Sequence, residues 1–302
     1  MSIAVPAASA RRRALAYLEL TKPRIVMLVM ITGVPGLLMA AGGMPPPPLF
    51  WGTLVGTVLA AASAASFNHY VDRDIDALMK RTRMRPLPAG VLPPAHALGL
   101  GFLLAALAWL TLVMFANVLA AAIAMASIVY YAVIYSVWLK RRTPQNIVIG
   151  GAAGASAPLI AWAAVTGRVE LPAVLLAAIV FLWTPPHFWA LSLYRRDDYE
   201  RAGLPMLPVT HGEEETRRQI ALYSLALVPV TLALGPLGVS GPVYWAPALV
   251  LGVVFIAFAL QLQRSATVPH AMRLFRYSIL YLFLLYVLMT VDAAVRISAH
   301  RA

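Results

Sequence analysis

Asn68, Asp72 and Asp76 stand four residues apart in the stretch Phe67-Asn68-His69-Tyr70-Val71-Asp72-Arg73-Asp74-Ile75-Asp76. On a helix this spacing puts one amide and two carboxylates on one face, climbing about 6 Å per step. A row of hard oxygens suits Mg²⁺, which takes one or two carboxylates and completes its shell with waters and substrate phosphates. A solvated helix end is the plainer explanation, but carboxylates stacked at i,i+4 repel one another, and a bound cation offsets that repulsion. Asp74 points away from the row and is expected to pair with Arg73 or Lys80.

The next segment is Lys80-Arg81-Thr82-Arg83-Met84-Arg85-Pro86-Leu87. Arg81 and Arg85 are again four apart, and guanidinium forks match phosphate oxygens. A metal row followed by such a loop can hold a diphosphate. Lys80 and Arg83 are read as setting topology only. Lys22 and Lys140 are further candidate cations beside apolar runs. A second acidic cluster follows another apolar run, in Tyr194-Arg195-Arg196-Asp197-Asp198-Tyr199 to Pro208. Two clusters on one face could clamp one diphosphate from both sides. His187 lies within the preceding apolar run, after Pro185 and Pro186. Ionisable groups inside a bilayer are functional by default, and the two prolines should interrupt the helical ladder and leave room for a pocket. His69 sits beside the first cluster. His96, His211, His270 and His300 carry no such expectation.

The elements that position these residues follow from composition. Of 302 residues 61% are hydrophobic and 12% charged, and the mean hydropathy is +0.78. A soluble domain carries about a quarter charged residues, so the chain reads as an all-α polytopic membrane protein. Disorder, collagen and a soluble nucleotide-binding enzyme are excluded. There is no cysteine, so neither disulfides nor thiolate chemistry contributes. Arg11-Arg12-Arg13 precede the first apolar run as in a signal peptide, but that run is too long and no cleavage site leads into a soluble domain. Nine apolar runs are long enough to cross a core of about 30 Å. They cover roughly 25–42, 49–67, 94–114, 117–138, 146–166, 171–191, 219–237, 243–262 and 277–295. Residues 1–24 then form a cytoplasmic arm, 25–296 one transmembrane domain, and 297–302 a tail.

With the N-terminus in the cytoplasm, 21 of the 24 Lys and Arg fall on that side. Arg168, Arg296 and Arg301 fall on the other. Positive-inside bias of that size fixes the orientation and accounts for the net charge of +12 without nucleic acid. Ten of the twelve acids lie on the cytoplasmic side as well, the exceptions being Glu170 and Asp292. A face that mixes acid and base so densely reads as a catalytic or binding face.

Asn68-x-x-x-Asp72-x-x-x-Asp76 with its Arg-Pro-Leu loop resembles the first signature of the UbiA-type intramembrane prenyltransferases. Thr21-Lys22-Pro23-Arg24, Thr143-Pro144-Gln145-Asn146 to Gly151, Trp183-Thr184-Pro185-Pro186-His187-Phe188-Trp189 and Asp197-Asp198-Tyr199 to Pro208 narrow the resemblance to the heme-farnesylating branch, the heme O synthases, over residues 15–295. The resemblance implies about nine transmembrane helices around a central cavity, in the cell inner membrane. It implies transfer of farnesyl from farnesyl diphosphate to a vinyl group of heme b, giving heme O. It makes Asn68, Asp72 and Asp76 ligands of Mg²⁺ and diphosphate, with Asp197 and Asp198 as a second metal pair. Arg81 and Arg85 become the basic positions. His187, Lys22, Lys140 and Tyr194 become substrate-binding residues. Partners implied are heme b, farnesyl diphosphate, membrane lipid, and contact with heme A synthase or oxidase assembly proteins. The chain departs from the wider family at Tyr199 and Arg195, where many relatives carry the second acid row. That leaves open which of Asp197 and Asp198 meets metal.

Two other readings fit parts of the pattern. A prenyltransferase for a quinone precursor or a chlorophyll-like ring would use the same row, although the Thr-Pro-Pro-His segment argues against it. An ion-coupled transporter would also use acid clusters. Transporter sites, however, sit near the midplane in broken helices, whereas these clusters follow the second and sixth runs at the membrane edge.

Overall fold

The computed structural model describes residues 9–301, so the first eight residues of the expected arm and the last residue of the expected tail lie outside it. Among the described residues every element is helical. A short helix α1 (Ala10–Leu20) precedes α2 (Pro23–Ala41), α3 (Pro47–Leu78) and α4 (Pro94–Phe115). The fourth run is α5 (Val118–Val129), which continues as a π-helical stretch (Tyr130–Leu139). The fifth is divided at Ala155 into α6 (Asn146–Gly154) and α7 (Ser156–Thr166). Then come α8 (Leu171–Tyr194), the short α9 (Arg196–Arg201) and α10 (Leu207–Thr210), α11 (Gly212–Ala233), α12 (Pro242–Ser265) and α13 (Val268–Arg301).

Eight of the expected runs become helices long and apolar enough to cross a membrane. The expected run 219–237 becomes α11, which starts seven residues earlier and carries Glu213, Glu214, Glu215, Arg217 and Arg218 in its first turns. Proline opens α2, α3, α4, α8 and α12 within their first two positions. There its fixed φ is preorganised for a helix and its missing N–H leaves no bond unmade.

The helices pack as a closed ring. From α2 contacts pass to α3, α4, α5, α7, α8, α11, α12 and α13, and α13 returns to α2. The α3–α4 pair is the most intimate. A Cβ added at Gly56 would lie 2.5 Å from Leu112 Cγ, and one added at Gly101 would lie 2.7 Å from Phe67 Cε1. Small residues let two backbones approach where no hydrophobic effect drives helices together. This contact fixes α3, which runs eleven residues beyond the expected 49–67 and so carries the acid row on its C-terminal half.

Pro185 and Pro186 do not interrupt the helix. α8 runs through both, and residues 183–187 are all buried. The Thr184 hydroxyl donates to Val180 O at 2.8 Å, and Trp183 Nε1 reaches across to Ser278 O on α13 at 2.7 Å. Neighbouring helices and hydroxyls support proline-containing helices in membranes in this way. At the opposite end, Asp292 accepts from Gly241 N at 2.6 Å and from Tyr244 N at 3.2 Å. A carboxylate on otherwise orphaned amides at the α12 N-terminus explains this buried acid as structural.

Candidate active site

The row forms as the spacing predicts. Asn68, Asp72 and Asp76 are 3%, 1% and 1% exposed, and Asn68 Nδ2 donates to Asp72 Oδ2 at 2.7 Å. Each member meets a cation from a different segment. Lys22 Nζ donates to Asn68 Oδ1 at 2.5 Å, Lys140 Nζ to Asp72 Oδ2 at 2.5 Å, and Arg85 Nη1 to Asp76 Oδ2 at 2.7 Å. Three cations thus offset the two carboxylates, and buried charges are tolerated when paired in this way. Asp72 Oδ1 has no hydrogen-bond partner and is fully buried.

The loop after α3 is braced by Thr82, whose hydroxyl donates to Asp76 O at 2.8 Å. Arg81 leaves the row and reaches α9, where its Nη2 donates to Tyr199 OH at 3.1 Å. That bond brings the first basic loop to the second acidic cluster. Within that cluster α8 ends at Tyr194 and the helical path breaks at Arg195, so the acids sit on the separate short helix α9 and not on the helix that carries His187. Asp198 is buried and clasped by Arg201 and, at 4.0 Å, by Arg195, whereas Asp197 faces outward. Tyr194 is 45% exposed, with the Arg195 guanidinium 4.7 Å above its ring.

Asp74 pairs with neither Arg73 nor Lys80. Arg141 grips both its carboxylate oxygens, at 2.7 and 2.6 Å, because the end of the π stretch lies beside α3. Arg73 instead donates to Tyr70 O at 2.5 Å. The bonds from Asp74 hold the Arg141 pKa above its ordinary value.

His187 is buried on the α8–α13 seam. Its ring is sandwiched between Trp183, at 4.3 Å and 18°, and Phe275, at 4.6 Å and 24°, and its Nδ1 is 2.7 Å from Ser278 Oγ. Ser278 Oγ also donates to Phe275 O at 2.7 Å. Its single proton is thereby used, so it accepts from His187 Nδ1–H, and Nε2 is left as the basic nitrogen. His69 is buried with neither ring nitrogen hydrogen-bonded.

Residue-type reasoning missed three participants. Ser136 Oγ accepts from Asn68 Nδ2 at 3.1 Å and donates to Tyr131 O, five residues back, at 2.8 Å. Lys140 N donates to Tyr135 O in the same π register, at 2.8 Å. Such π stretches are frequent at functional sites, and here one turns Ser136 and Lys140 together toward the row. Asn146, at the start of α6, donates to Lys140 O at 3.3 Å and Pro205 O at 3.5 Å, tying the two clusters' loops. Tyr199 is the third. The available signal was the rarity of polar side chains in the run 117–138 and its immediate end.

Among the described residues no group of three His, Cys, Asp or Glu side chains forms a complete metal cage. The arrangement is instead an open row with one orphaned carboxylate oxygen, ringed by cations. It suits a metal that arrives with a phosphorylated substrate.

These features define an integral membrane protein of helical-ring architecture with a buried acid–base site at one end. Residues 29–287 match the model of the UbiA prenyltransferase family. The chain is 49% identical over 278 residues to the protoheme IX farnesyltransferase of Symbiobacterium thermophilum, covering 91% of this chain and 93% of that one. It is 47% identical to the protoheme IX farnesyltransferase of Roseiflexus sp., covering 92% of this chain and about half (52%) of that longer relative. Among solved structures it resembles a digeranylgeranylglyceryl phosphate synthase, with TM-score 0.78 and 19% identity over 93% of this chain and 98% of that one. It also resembles a UbiA homolog from Archaeoglobus fulgidus bound to GPP and Mg²⁺, with TM-score 0.65 and 16% identity over 91% and 99%. The chain belongs to the UbiA prenyltransferase family and is a prenyltransferase, which sets the transporter reading aside.

Proposed function

We propose that this enzyme transfers farnesyl from farnesyl diphosphate to a vinyl group of heme b, with addition of water, giving heme O and diphosphate. The similarity to protoheme IX farnesyltransferases over nine-tenths of the chain supports heme as acceptor. Asp72 is the observation that carries the diphosphate chemistry: one of its oxygens is buried without a donor beside a ring of cations.

Asn68, Asp72 and Asp76 would hold Mg²⁺ with the substrate diphosphate, and Asp198, the inward acid of the second cluster, is the better candidate for a second ion than Asp197. Mg²⁺ bound there supplies charge neutralisation for the departing diphosphate. Lys22, Lys140, Arg81 and Arg85 add fixed positive charge where negative charge develops. The allylic C–O bond breaks and its electron pair leaves with diphosphate. Farnesyl C1 bonds to the terminal vinyl carbon, and the cation left beside the pyrrole takes up water and releases a proton. Apolar helix walls keep water from the first cation. His187 presents the edge carrying Nε2 to the porphyrin, as an iron ligand or an orienting group.

The row, Lys22, Lys140 and Asp198 face the cytoplasm in this reading and the C-terminus lies outside, from the Lys/Arg split. Single cysteines introduced as Asp74→Cys and Asp197→Cys would then label from the cytoplasmic side. Contact with heme A synthase or oxidase assembly proteins belongs to the same reading. Incubation of the purified protein with farnesyl diphosphate, Mg²⁺ and heme b should yield a heme heavier by one farnesyl group and one hydroxyl group, the latter taken from water. Recovery of unmodified heme alone would overturn the assignment.

A further inference from the structure

Glu213, at the start of α11, is shared by two guanidiniums, Arg196 Nη1 at 3.4 Å and Arg217 Nη1 at 3.5 Å. Charge-assisted bonds normally close to 2.7–2.9 Å, so both contacts are loose. The Nε–H groups of Arg196 and Arg217 are buried and have no acceptor. One carboxylate therefore leaves a positive surplus on the trio and two donors unsatisfied. Buried unsatisfied donors are costly and rare in native structures. The Glu213 side chain is 44% exposed, so water lies beside it, while Arg217 is 14% exposed.

The position is as informative as the charge. Arg196 opens α9, three residues before Tyr199, whose hydroxyl meets Arg81. The Arg196–Arg217 pair is thus anchored at one end on the same short helix that Arg81 reaches, on cations that the diphosphate ring of Lys22, Lys140, Arg81 and Arg85 does not include. A porphyrin acceptor brings its own anions. Heme b carries two propionates, which must remain near water while the ring enters an apolar cavity, and Arg is the side chain suited to a carboxylate.

We propose that Arg196 and Arg217 clamp a propionate carboxylate of the porphyrin substrate, and that Glu213 holds the two guanidiniums in place until that carboxylate displaces it. The proposal rests on the heme-acceptor reading above. It deepens that reading by separating a propionate subsite from the diphosphate subsite.

The test uses mesoheme, which keeps both propionates but has no vinyl group to react, titrated optically into the full-length protein in detergent. Arg217→Met and Arg196→Met should each weaken mesoheme binding about tenfold, the loss of roughly one charge-assisted contact. Glu213→Gln should strengthen it, because the competing carboxylate is gone. Mesoheme dimethyl ester should bind all four proteins alike, and the affinity for farnesyl diphosphate should stay constant. A purely structural ion-pair knot makes the opposite forecast: Glu213→Gln and the arginine variants would move together, with lowered melting temperature and no distinction between acid and ester. That result would overturn the clamp. Failure of the wild type to farnesylate heme b, with the arginine-dependent mesoheme binding intact, would instead overturn the acceptor reading and leave the carboxylate clamp standing.

Discussion

Lys22 Nζ lies 2.5 Å from Asn68 Oδ1, and the backbone that delivers it is left-handed, with φ 50° and ψ 63°. Only Lys22 and Ala266 have positive φ outside glycine among the described residues. The αL region costs a non-glycine residue about 1–2 kcal/mol, and Pro23 disfavours the right-handed helical region just before it. The turn between α1 and α2 therefore holds the ammonium against the row at the expense of local strain, as functional sites often do.

This separates the side chain's role from the backbone's. Lys22→Gly relieves the left-handed strain and Lys22→Ala keeps it, so the glycine variant should be more stable by about 1 kcal/mol. Both should lose turnover, by about a hundredfold, because both lose a charge aimed at the leaving group. Thermal unfolding in detergent and product formation measure the two effects. Activity retained in the glycine variant would show that the ammonium is dispensable.

Asp72→Asn and Asp74→Asn differ by two positions and should differ greatly in effect. Asp72 is buried, bonded to Lys140 and Asn68, with a free oxygen. Its loss should lower turnover about a thousandfold. Asp74 is 61% exposed in its pair with Arg141, and exposed pairs contribute about 0–1 kcal/mol. Its neutralisation should leave turnover within about twofold. Comparable losses in both would mean that helical face is the wrong criterion.

The same contrast divides the second cluster. Asp198 is buried between Arg195 and Arg201, and Asp197 is exposed. Asp198→Asn should raise the Mg²⁺ concentration needed for half-maximal turnover, and Asp197→Asn should not. Titrating Mg²⁺ against the two purified variants decides between them, with an equal response assigning the second ion elsewhere.

Ser136→Ala removes the acceptor for Asn68 Nδ2 and the hydroxyl that closes onto Tyr131 O. One neutral hydrogen bond is worth about 1 kcal/mol, or about fivefold. The variant should therefore need more farnesyl diphosphate at unchanged heme affinity. A shift in heme affinity instead would place the π stretch at the acceptor end.

Hydropathy and i,i+4 spacing made the spans and the Asn68–Asp72–Asp76 row legible, because both depend on residue type and helical period alone. The partners of the row were not legible in that way. Arg141 reaches Asp74 across 67 positions, and Lys140 reaches Asp72 across 68. Both contacts depend on a π register that no apolar pattern encodes. The inward turn of Asp198 depends on the break at Arg195, and the survival of α8 through Pro185 and Pro186 depends on support from α13. Tertiary packing decides such points, and a single helix's sequence does not contain it.

His187 allows the sharpest contrast at the acceptor end. Its ring faces are covered by Trp183 and Phe275, so only the ring edge can meet a substrate. Ser278 holds Nδ1 as the donor and leaves Nε2 basic. His187→Ala should abolish the heme-induced absorbance change and leave farnesyl diphosphate affinity within about twofold. Ser278→Ala keeps the imidazole but releases its tautomer and orientation. It should weaken the heme response by about tenfold, the size of losses seen when an outer partner of a ligating histidine is removed. A histidine that only fills the α8–α13 seam would behave otherwise. Both variants would then melt earlier, and heme spectra and diphosphate affinity would fall together. An unchanged heme spectrum in His187→Ala, with the protein still folded, would remove His187 from the porphyrin site and return a quinone-type acceptor to contention.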